Sequence, residues 1–262
     1  MTCWRSSHSH PLNELSVIKP VELKATEATA PCTAMLLAAG RGERMRPLTD
    51  STAKPLLKVA GKRLIDYHLE KLCNAGVRQV VVNTSWCAEE ITSTLGDGST
   101  YGLQIDYSHE PTALETAGGI RKALHLLGDK PFLVISADFW CDIDYGDFLS
   151  DTSVTGARLL MVSNPAHHPG GDFTIGPGNQ VQLKNECDED NPDAETYTYS
   201  GIGLYHPSLF KTFPVAACPL RDVLFPTIKA GEVSATIHNG QWFDVGTVER
   251  LRSLDKHLRS QH

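Results

Sequence analysis

An apolar run that leads into closely spaced glycines and basic residues constrains this chain most strongly. Thr33 to Ala39 is apolar and of strand length, and Gly40-Arg41-Gly42-Glu43-Arg44 follows it directly. Glycine lets the backbone approach a phosphate closely and direct N–H groups at it. Arginine binds phosphate oxygens through two parallel hydrogen bonds. The pattern therefore predicts a buried strand that leads into a polyphosphate-binding loop.

The charge of the chain reverses sign around this loop. The 262 residues carry a formal net charge of −7. This argues against nucleic acid or a membrane surface as a partner, because a polyanion would be repelled by the chain as a whole. Between Arg41 and Arg63, however, seven basic residues stand against only Glu43 and Asp50. A solvated basic face is the alternative reading, but the adjacent glycines favour a small anionic ligand.

The cysteines and the first residues bear on location. The seven cysteines are scattered without a C-x-x-C pair, which disfavours disulfides and zinc and indicates a reducing compartment, so we expect a cytoplasmic protein. Residues 1–32 have neither the apolar core of a secretory signal nor the acid-poor composition of a transit peptide. We expect a flexible extension there, and no apolar run approaches the roughly 18 residues that a membrane span needs.

From residue 33 the chain alternates strand and helix patterns, which predicts an α/β fold. A Rossmann-like, mixed and mainly parallel sheet flanked by helices is expected, with ligands at the carboxyl ends of its strands. Strands are predicted at Thr33 to Ala39, Arg78 to Asn83, Leu103 to Tyr107 and Phe132 to Ser136. Helices are predicted at Leu64 to Cys73, Cys87 to Leu95 and Ile120 to Leu127.

The regular alternation of strand and helix patterns ends at about residue 150. Strands are predicted at Ala157 to Val162, Tyr197 to Tyr205 and Val233 to His238, a hairpin turn at Gly176 to Asn179, and helices at Leu220 to Ala230 and Thr247 to His257. The acidic run Glu186 to Glu195 is predicted to be a solvated loop. This half has too few apolar faces for a core of its own. We therefore expect residues 33–262 to form a single domain, with a lobe added to the same sheet from about residue 150.

Two common glycine motifs do not fit the opening stretch. A dinucleotide-binding fingerprint would need a third glycine where Met45 stands and an acidic residue where Asn83 stands. A Walker A loop would need a glycine five residues before Gly61, a position that Leu56 occupies. A nicotinamide oxidoreductase is therefore disfavoured.

Four motifs resemble the signature of the sugar-1-phosphate nucleotidyltransferases. They are Gly40 to Thr49 with Lys54-Pro55-Leu56, Leu114 to Gly119, Asp138, and Trp242 to Thr247, in the order of that family. These enzymes condense a nucleoside triphosphate with a sugar 1-phosphate and release pyrophosphate. The resemblance spans roughly residues 33 to 255. It implies the nucleotide-diphospho-sugar transferase fold and two small-molecule substrates.

The resemblance also implies roles for individual residues. It implies catalytic roles for Arg44, Lys54 and Asp138, and Mg²⁺ held by Asp138 and Asp244. Mg²⁺ is usually held by one or two carboxylates together with substrate phosphate oxygens. The implied nucleotide contacts are Ala39, Gly40, Arg41, Gly42, Asn83 and Leu114, and the implied sugar contacts are Glu115, Gly118 and Gly119. A turn asparagine remains an equal reading of Asn83.

A further segment bears on the sugar. Asn164 to Phe173 resembles the N-P-x-H-H-x-x-G-D-F stretch of the bacterial N-acetylmuramate α-1-phosphate uridylyltransferases within this family. The resemblance implies UTP as the donor, a role in cell-wall (peptidoglycan) recycling, and Asn164 and Asp172 as sugar contacts. Whether Lys184 contacts the sugar phosphate stays open. The chain departs from the family pattern at Ala53, where proline is common, and at Ala137, where glycine is usual.

Other functions remain open at this point. One is a guanylyl- or uridylyltransferase that acts on a hexose or heptose 1-phosphate. Another is a regulatory protein that binds nucleotide sugars without turnover. The oligomeric state, including a homo-oligomer, is also left open by the sequence.

Overall fold

The computed structural model describes residues 32–184 and 195–261. The predicted extension up to residue 31 and nearly all of the predicted acidic loop lie outside the described residues. The strands are β1 (Ala34–Leu37), β2 (Lys58–Val59), β3 (Lys62–Arg63), β4 (Gln79–Thr84), β5 (Gln104–His109), β6 (Phe132–Ser136), β7 (Phe139–Cys141), β8 (Ala157–Val162), β9 (Phe173–Ile175), β10 (Val181–Leu183), β11 (Thr196–Tyr205), β12 (Val233–His238) and β13 (Trp242–Asp244). The α-helices are α1 (Leu64–Asn74), α2 (Ala88–Leu95), α3 (Glu115–Leu127), α4 (Tyr145–Phe148), α5 (Ser208–Lys211), α6 (Leu220–Lys229) and α7 (Val248–Arg259).

A nine-stranded mixed sheet organises the molecule. Its main path runs β10-β9-β11-β6-β1-β4-β5, and β8 pairs with both β11 and β12. Strands β6, β1, β4 and β5 are parallel to one another. Strand β11 is antiparallel to β6, β8 and β9. The carboxyl ends of the four parallel strands therefore meet at one edge of the sheet. Of the strands that follow residue 150, β8 to β12 belong to this same sheet.

The predicted strands and helices are confirmed to within a few residues, and α3 runs from Glu115 through the apolar face predicted at Ile120 to Leu127. The predicted turn at Gly176 to Asn179 joins the antiparallel strands β9 and β10. The two-stranded ribbon of β7 and β13 was missed. Each of its strands has only three residues, and β7 is buried throughout, so neither has an alternating pattern to detect.

The core lies on both faces of the sheet and beneath α7. Successive residues of β1 enter different clusters, because side chains alternate across a strand: Leu36 packs with α1 and α2, and Met35 with α3 and α6. A third cluster contains Met45 of the glycine loop, Val245 after β13 and Leu254 of α7. The loop and the ribbon are therefore anchored in one apolar cluster.

Two further observations concern the described residues as a whole. No helix within residues 32–184 and 195–261 is long and apolar enough to cross a membrane. The cysteines described there are free thiols. Burial raises the pKa of Cys32 and of Cys141 to about 11, which makes both thiols poor nucleophiles near neutral pH.

A buried histidine joins α1 to the ribbon. The His68 ring contacts the Tyr145 hydroxyl at 2.7 Å and the Phe139 carbonyl oxygen at 2.9 Å. Burial lowers the pKa of His68 to about 4. In the unfolded chain a histidine has a pKa near 6.5, so below that pH the unfolded state takes up a proton that the folded state excludes. The contribution of His68 to the unfolding free energy is therefore fully present above pH 6.5 and is lost as the pH drops towards 4.

We expect this histidine to account for a large part of the acid sensitivity of the fold. Between pH 7 and pH 4, wild type should lose roughly 3 kcal/mol more unfolding free energy than His68→Gln, from the pKa difference at 1.36 kcal/mol per pH unit. Urea unfolding at several pH values measures this, and His125→Gln, at an exposed position, is the control. Equal losses in wild type and His68→Gln would contradict the assignment.

Candidate active site

A cavity of about 600 Å³ opens at the carboxyl edge of the parallel strands. It receives the loop after β1, the start of α3 and the residues that follow β6, as parallel α/β topology predicts. The residues that line it are Leu37, Ala38, Ala39, Gly40, Gly42, Glu43, Arg44, Met45, Lys54, Pro55, Asn83, Glu110, Ala113, Glu115, Thr116, Ser136, Asp138 and Gly246. The structure therefore brings together most of the residues predicted to act in catalysis and in nucleotide binding.

Lys54 and Asp138 form an ion pair inside this cavity. Lys54 Nζ donates to Asp138 Oδ2 at 2.6 Å, across 84 residues of sequence. The lysine side chain is 9% exposed and the aspartate side chain is 44% exposed. The ammonium group is therefore held in a fixed place by a carboxylate that still faces solvent, and a phosphate that enters the cavity would meet both.

The glycine loop has the shape that phosphate binding requires. Gly42 has φ +65°, and a Cβ there would lie 3.0 Å from the Thr49 methyl group and 3.2 Å from Lys54 Cβ. Glycine suits this position because it adopts positive φ without steric cost. Arg44 lines the cavity. Arg41 does not, because its guanidinium lies 4.8 Å from the centre of the Trp86 ring.

A buried carboxylate in the cavity wall was missed by the sequence analysis. Glu110 is 1% exposed; it accepts hydrogen bonds from Asn83 Nδ2 at 2.8 Å and from Leu114 N at 2.9 Å. Asn83 Oδ1 accepts from Ala38 N at 2.8 Å. The Asn83 side chain thus joins the ends of three strands, and its predicted contact with a base stays a prediction. An acidic residue directly after β5, the neighbour of β4, was the available signal.

Of the predicted sugar contacts at the start of α3, only Glu115 lines the cavity. Glu115 and its neighbour Thr116 line the cavity. Gly118 and Gly119 do not: a Cβ on Gly118 would lie 2.1 Å from Ala216 O, and one on Gly119 would lie 2.6 Å from Glu110 Oε1. These glycines let α3 pack closely against its surroundings. Leu114 contributes backbone hydrogen bonds at the start of the helix.

The two predicted sugar contacts in the histidine loop are bonded within the protein. Asn164 Nδ2 donates to Thr196 Oγ1 at 2.7 Å, and Asp172 Oδ2 accepts from Tyr199 N at 2.8 Å. Lys184 Nζ donates to the carbonyl oxygens of Gly170 and Gly171. None of the three lines the cavity. Their contact with a sugar stays a prediction.

The ribbon brings the second predicted metal ligand close to the first. Asp244 pairs with Phe139 across β13 and β7, and Val245 N donates to Asp138 O at 3.1 Å. Asp244 Oδ2 also accepts from Arg250 Nη1 at 2.5 Å and lies 3.2 Å from His167 Nε2. Within residues 32–184 and 195–261, no group of three or more His, Cys, Asp or Glu side chains is arranged to hold a metal ion.

Asp138 lines the cavity, and Asp244, which does not, lies near it through the backbone pairing of β13 with β7. Mg²⁺ commonly uses one or two protein carboxylates and takes its other ligands from water and substrate phosphates. Asp138 faces the cavity in which such phosphates would lie. The donor set is therefore compatible with Mg²⁺ bound together with substrate.

Known proteins resemble this chain in both sequence and fold. The model of the nucleotidyl transferase family matches residues 33–261. The chain belongs to this family. It is 47% identical to an N-acetylmuramate alpha-1-phosphate uridylyltransferase of Neisseria meningitidis serogroup B, over 84% of this chain and 95% of that protein. It is 33% identical to a protein of the same name from Caulobacter vibrioides, over 87% of this chain and 98% of that protein.

Other members of the family are more distant. The chain is 29% identical to the catalytic subunit beta of mannose-1-phosphate guanylyltransferase from Drosophila melanogaster, over 81% of this chain and 59% of that protein. Among solved structures, a Bacillus anthracis protein described as a glucose-1-phosphate thymidylyltransferase superposes with a TM-score of 0.75 at 22% identity, covering 87% of this chain and 95% of that one. HddC of Yersinia pseudotuberculosis superposes with a TM-score of 0.72 at 19% identity, covering 87% and 99%. The predicted fold class and family are confirmed.

Proposed function

We propose that this nucleotidyltransferase transfers a uridylyl group from UTP to N-acetylmuramate α-1-phosphate, with Mg²⁺ as cofactor. The ion pair between Lys54 and Asp138 supports the reaction type, because it sets a fixed cation and an accessible carboxylate in one cavity. The 47% identity to the Neisseria uridylyltransferase supports the choice of substrates.

The reaction requires charge neutralisation more than proton transfer. An oxygen of the sugar phosphate attacks the α-phosphorus of UTP, the bond between that phosphorus and the β-phosphate oxygen breaks, and pyrophosphate leaves. The attacking oxygen is already ionised, so no side chain has to act as a general base. Repulsion between the two anions dominates the barrier, and fixed positive charge and in-line orientation lower it.

The residues of the cavity divide these tasks. Lys54 contacts the α-phosphoryl group, and the loop that contains Gly42 and Arg44 holds the β- and γ-phosphates. Asp138 orients Lys54, and Asp138 and Asp244 together would hold the metal. Bound Mg²⁺ would supply further charge neutralisation at the phosphate oxygens. The base and the sugar lie on opposite sides of the reacting phosphates, with Glu115 on the sugar side and the lobe from about residue 150 completing the sugar pocket.

A matrix of substrates tests the proposal. Pyrophosphate release is measured for N-acetylmuramate 1-phosphate, mannose 1-phosphate, glucose 1-phosphate and a heptose 1-phosphate, each with UTP, GTP, dTTP and ATP in the presence of Mg²⁺. We expect the highest kcat/KM with UTP and N-acetylmuramate 1-phosphate, and loss of turnover when EDTA removes the metal.

Other outcomes would each contradict a different part of the proposal. Highest activity with GTP and mannose 1-phosphate would contradict the substrate assignment and retain the reaction. Binding of nucleotide without turnover for any pair would favour the regulatory alternative. Full activity in EDTA would contradict the role of Mg²⁺.

A further inference from the structure

The peptide that precedes Lys54 is held by a side chain of α2. Ala53 N donates to Glu90 Oε2 at 2.8 Å, and Ala53 O accepts from Leu56 N at 2.9 Å. Ala53 is buried, so both of its backbone polar groups have partners inside the protein. The hydrogen bond to Glu90 therefore ties down the backbone amide of the residue that precedes Lys54.

Trp86, two residues before α2, also contacts the loop. Trp86 Nε1 donates to Thr49 O at 3.1 Å, and the Trp86 ring lies against the guanidinium of Arg41. Residues 86–90 thus support the segment from residue 41 to residue 54 at both of its ends. Lys54, at the far end, is the residue that reaches Asp138.

The conformation of Ala53 shows what the Glu90 contact accomplishes. Ala53 has φ −62° and ψ 136°, and a proline ring locks φ near −65°. Proline has no N–H group and cannot donate to Glu90. An alanine with a carboxylate partner and a proline without one are therefore two ways to hold the same backbone conformation.

We propose that Glu90 is a positioning residue for Lys54, which fixes the backbone of residue 53 as a proline ring would. The inference rests on the proposed function, in which Lys54 contacts the phosphoryl group that is transferred. It assigns to Glu90 an effect on turnover although Glu90 does not line the cavity. Displacement of a reacting group by about 1 Å can lower a rate about a hundredfold.

A rescue experiment separates positioning from a merely structural contact. Glu90→Ala should lower kcat by about 10- to 100-fold and leave KM nearly unchanged. Glu90→Gln, which keeps an acceptor oxygen, should retain most of the activity. Ala53→Pro combined with Glu90→Ala should recover the lost kcat, because the proline ring then occupies the space that the Glu90 carboxylate leaves. Glu89→Ala, on the exposed neighbour in the same turn, is the control.

A second measurement does not depend on turnover. Acetylation of Lys54 by acetic anhydride, followed by mass spectrometry relative to the exposed Lys58, reports directly on the burial of Lys54. Glu90→Ala should raise this ratio severalfold, and the added Ala53→Pro should restore it.

Two results would overturn the proposal: unchanged kcat and labelling in Glu90→Ala, or a loss that proline at position 53 does not recover. Absence of turnover in the wild-type protein would contradict the proposed function instead. The labelling ratio would then still decide the role of Glu90.

Discussion

Asp138→Asn should lower kcat by about two to three orders of magnitude, the range found when one preorganised electrostatic group is removed from an active site. Asparagine keeps the shape of the side chain but removes its charge. Lys54, which is buried, then loses its charged partner at 2.6 Å, and the proposed cation site would lose one of its two carboxylates. We therefore expect the loss in kcat together with a steeper requirement for Mg²⁺.

The measurement is initial-rate kinetics at saturating substrates over a range of Mg²⁺ concentrations, with thermal unfolding followed by circular dichroism. Asp147→Asn is the matched control, because Asp147 is an exposed carboxylate in α4, a few residues beyond the ribbon strand β7. Activity near that of the wild type in Asp138→Asn would remove this residue from the reacting centre. Equal losses in both variants would point to a general electrostatic effect.

Gly118→Ala should destabilise the fold by about 3 kcal/mol, at the upper end of the usual cost of overpacking. Its Cβ would lie 2.1 Å from Ala216 O, a backbone atom that moves only with its segment. The same segment caps α3, since Ala117 N and Gly118 N donate to Cys218 O at 3.0 and 3.2 Å. Moving α3 away from the segment that contains Ala216 would break those hydrogen bonds. The higher helix propensity of alanine, about 1 kcal/mol, offsets only part of the loss.

Urea unfolding checks this, with Gly170→Ala as the control. A Cβ on Gly170 would meet only the flexible end of Lys184, at 3.4 Å, so its unfolding free energy should change by less than about 0.5 kcal/mol, as at ordinary surface positions. Stability equal to wild type in Gly118→Ala would mean that α3 and the segment around residue 216 can separate without cost. KM for the sugar phosphate, measured on the folded fraction, would then test the predicted sugar contact of this glycine.

Lys54 and Asp138, which we propose to act in catalysis, are the residues whose place in the cavity was easiest to predict. Lys54 follows the glycine loop closely, and Asp138 follows an apolar run that ends at a predictable edge of the sheet. Each is therefore marked by its own local sequence. Glu110 is marked only by its place directly after β5, because its burial depends on Asn83 at the end of another strand and on the backbone of Leu114.

The predicted sugar contacts illustrate the opposite difficulty. Asn164 and Asp172 have side chains suited to binding hydroxyl groups, and the sequence around them resembles that of related enzymes. In the fold their polar atoms bond to β11, more than 20 residues away along the chain. A hydrogen-bonding side chain is available to a ligand only when no nearer partner uses it, and those partners are distant in sequence.

The sequence by itself determined the order of strands and helices, because apolar periodicity is a local property. Its four motifs, through their resemblance to a known family, indicated the chemical class of the reaction. Only the tertiary structure decided that Lys54 meets Asp138, that Glu90 holds Ala53, and that Arg41 lies on Trp86 instead of lining the cavity. These contacts join residues that lie 37 to 84 positions apart, and their formation depends on how the strands and helices pack.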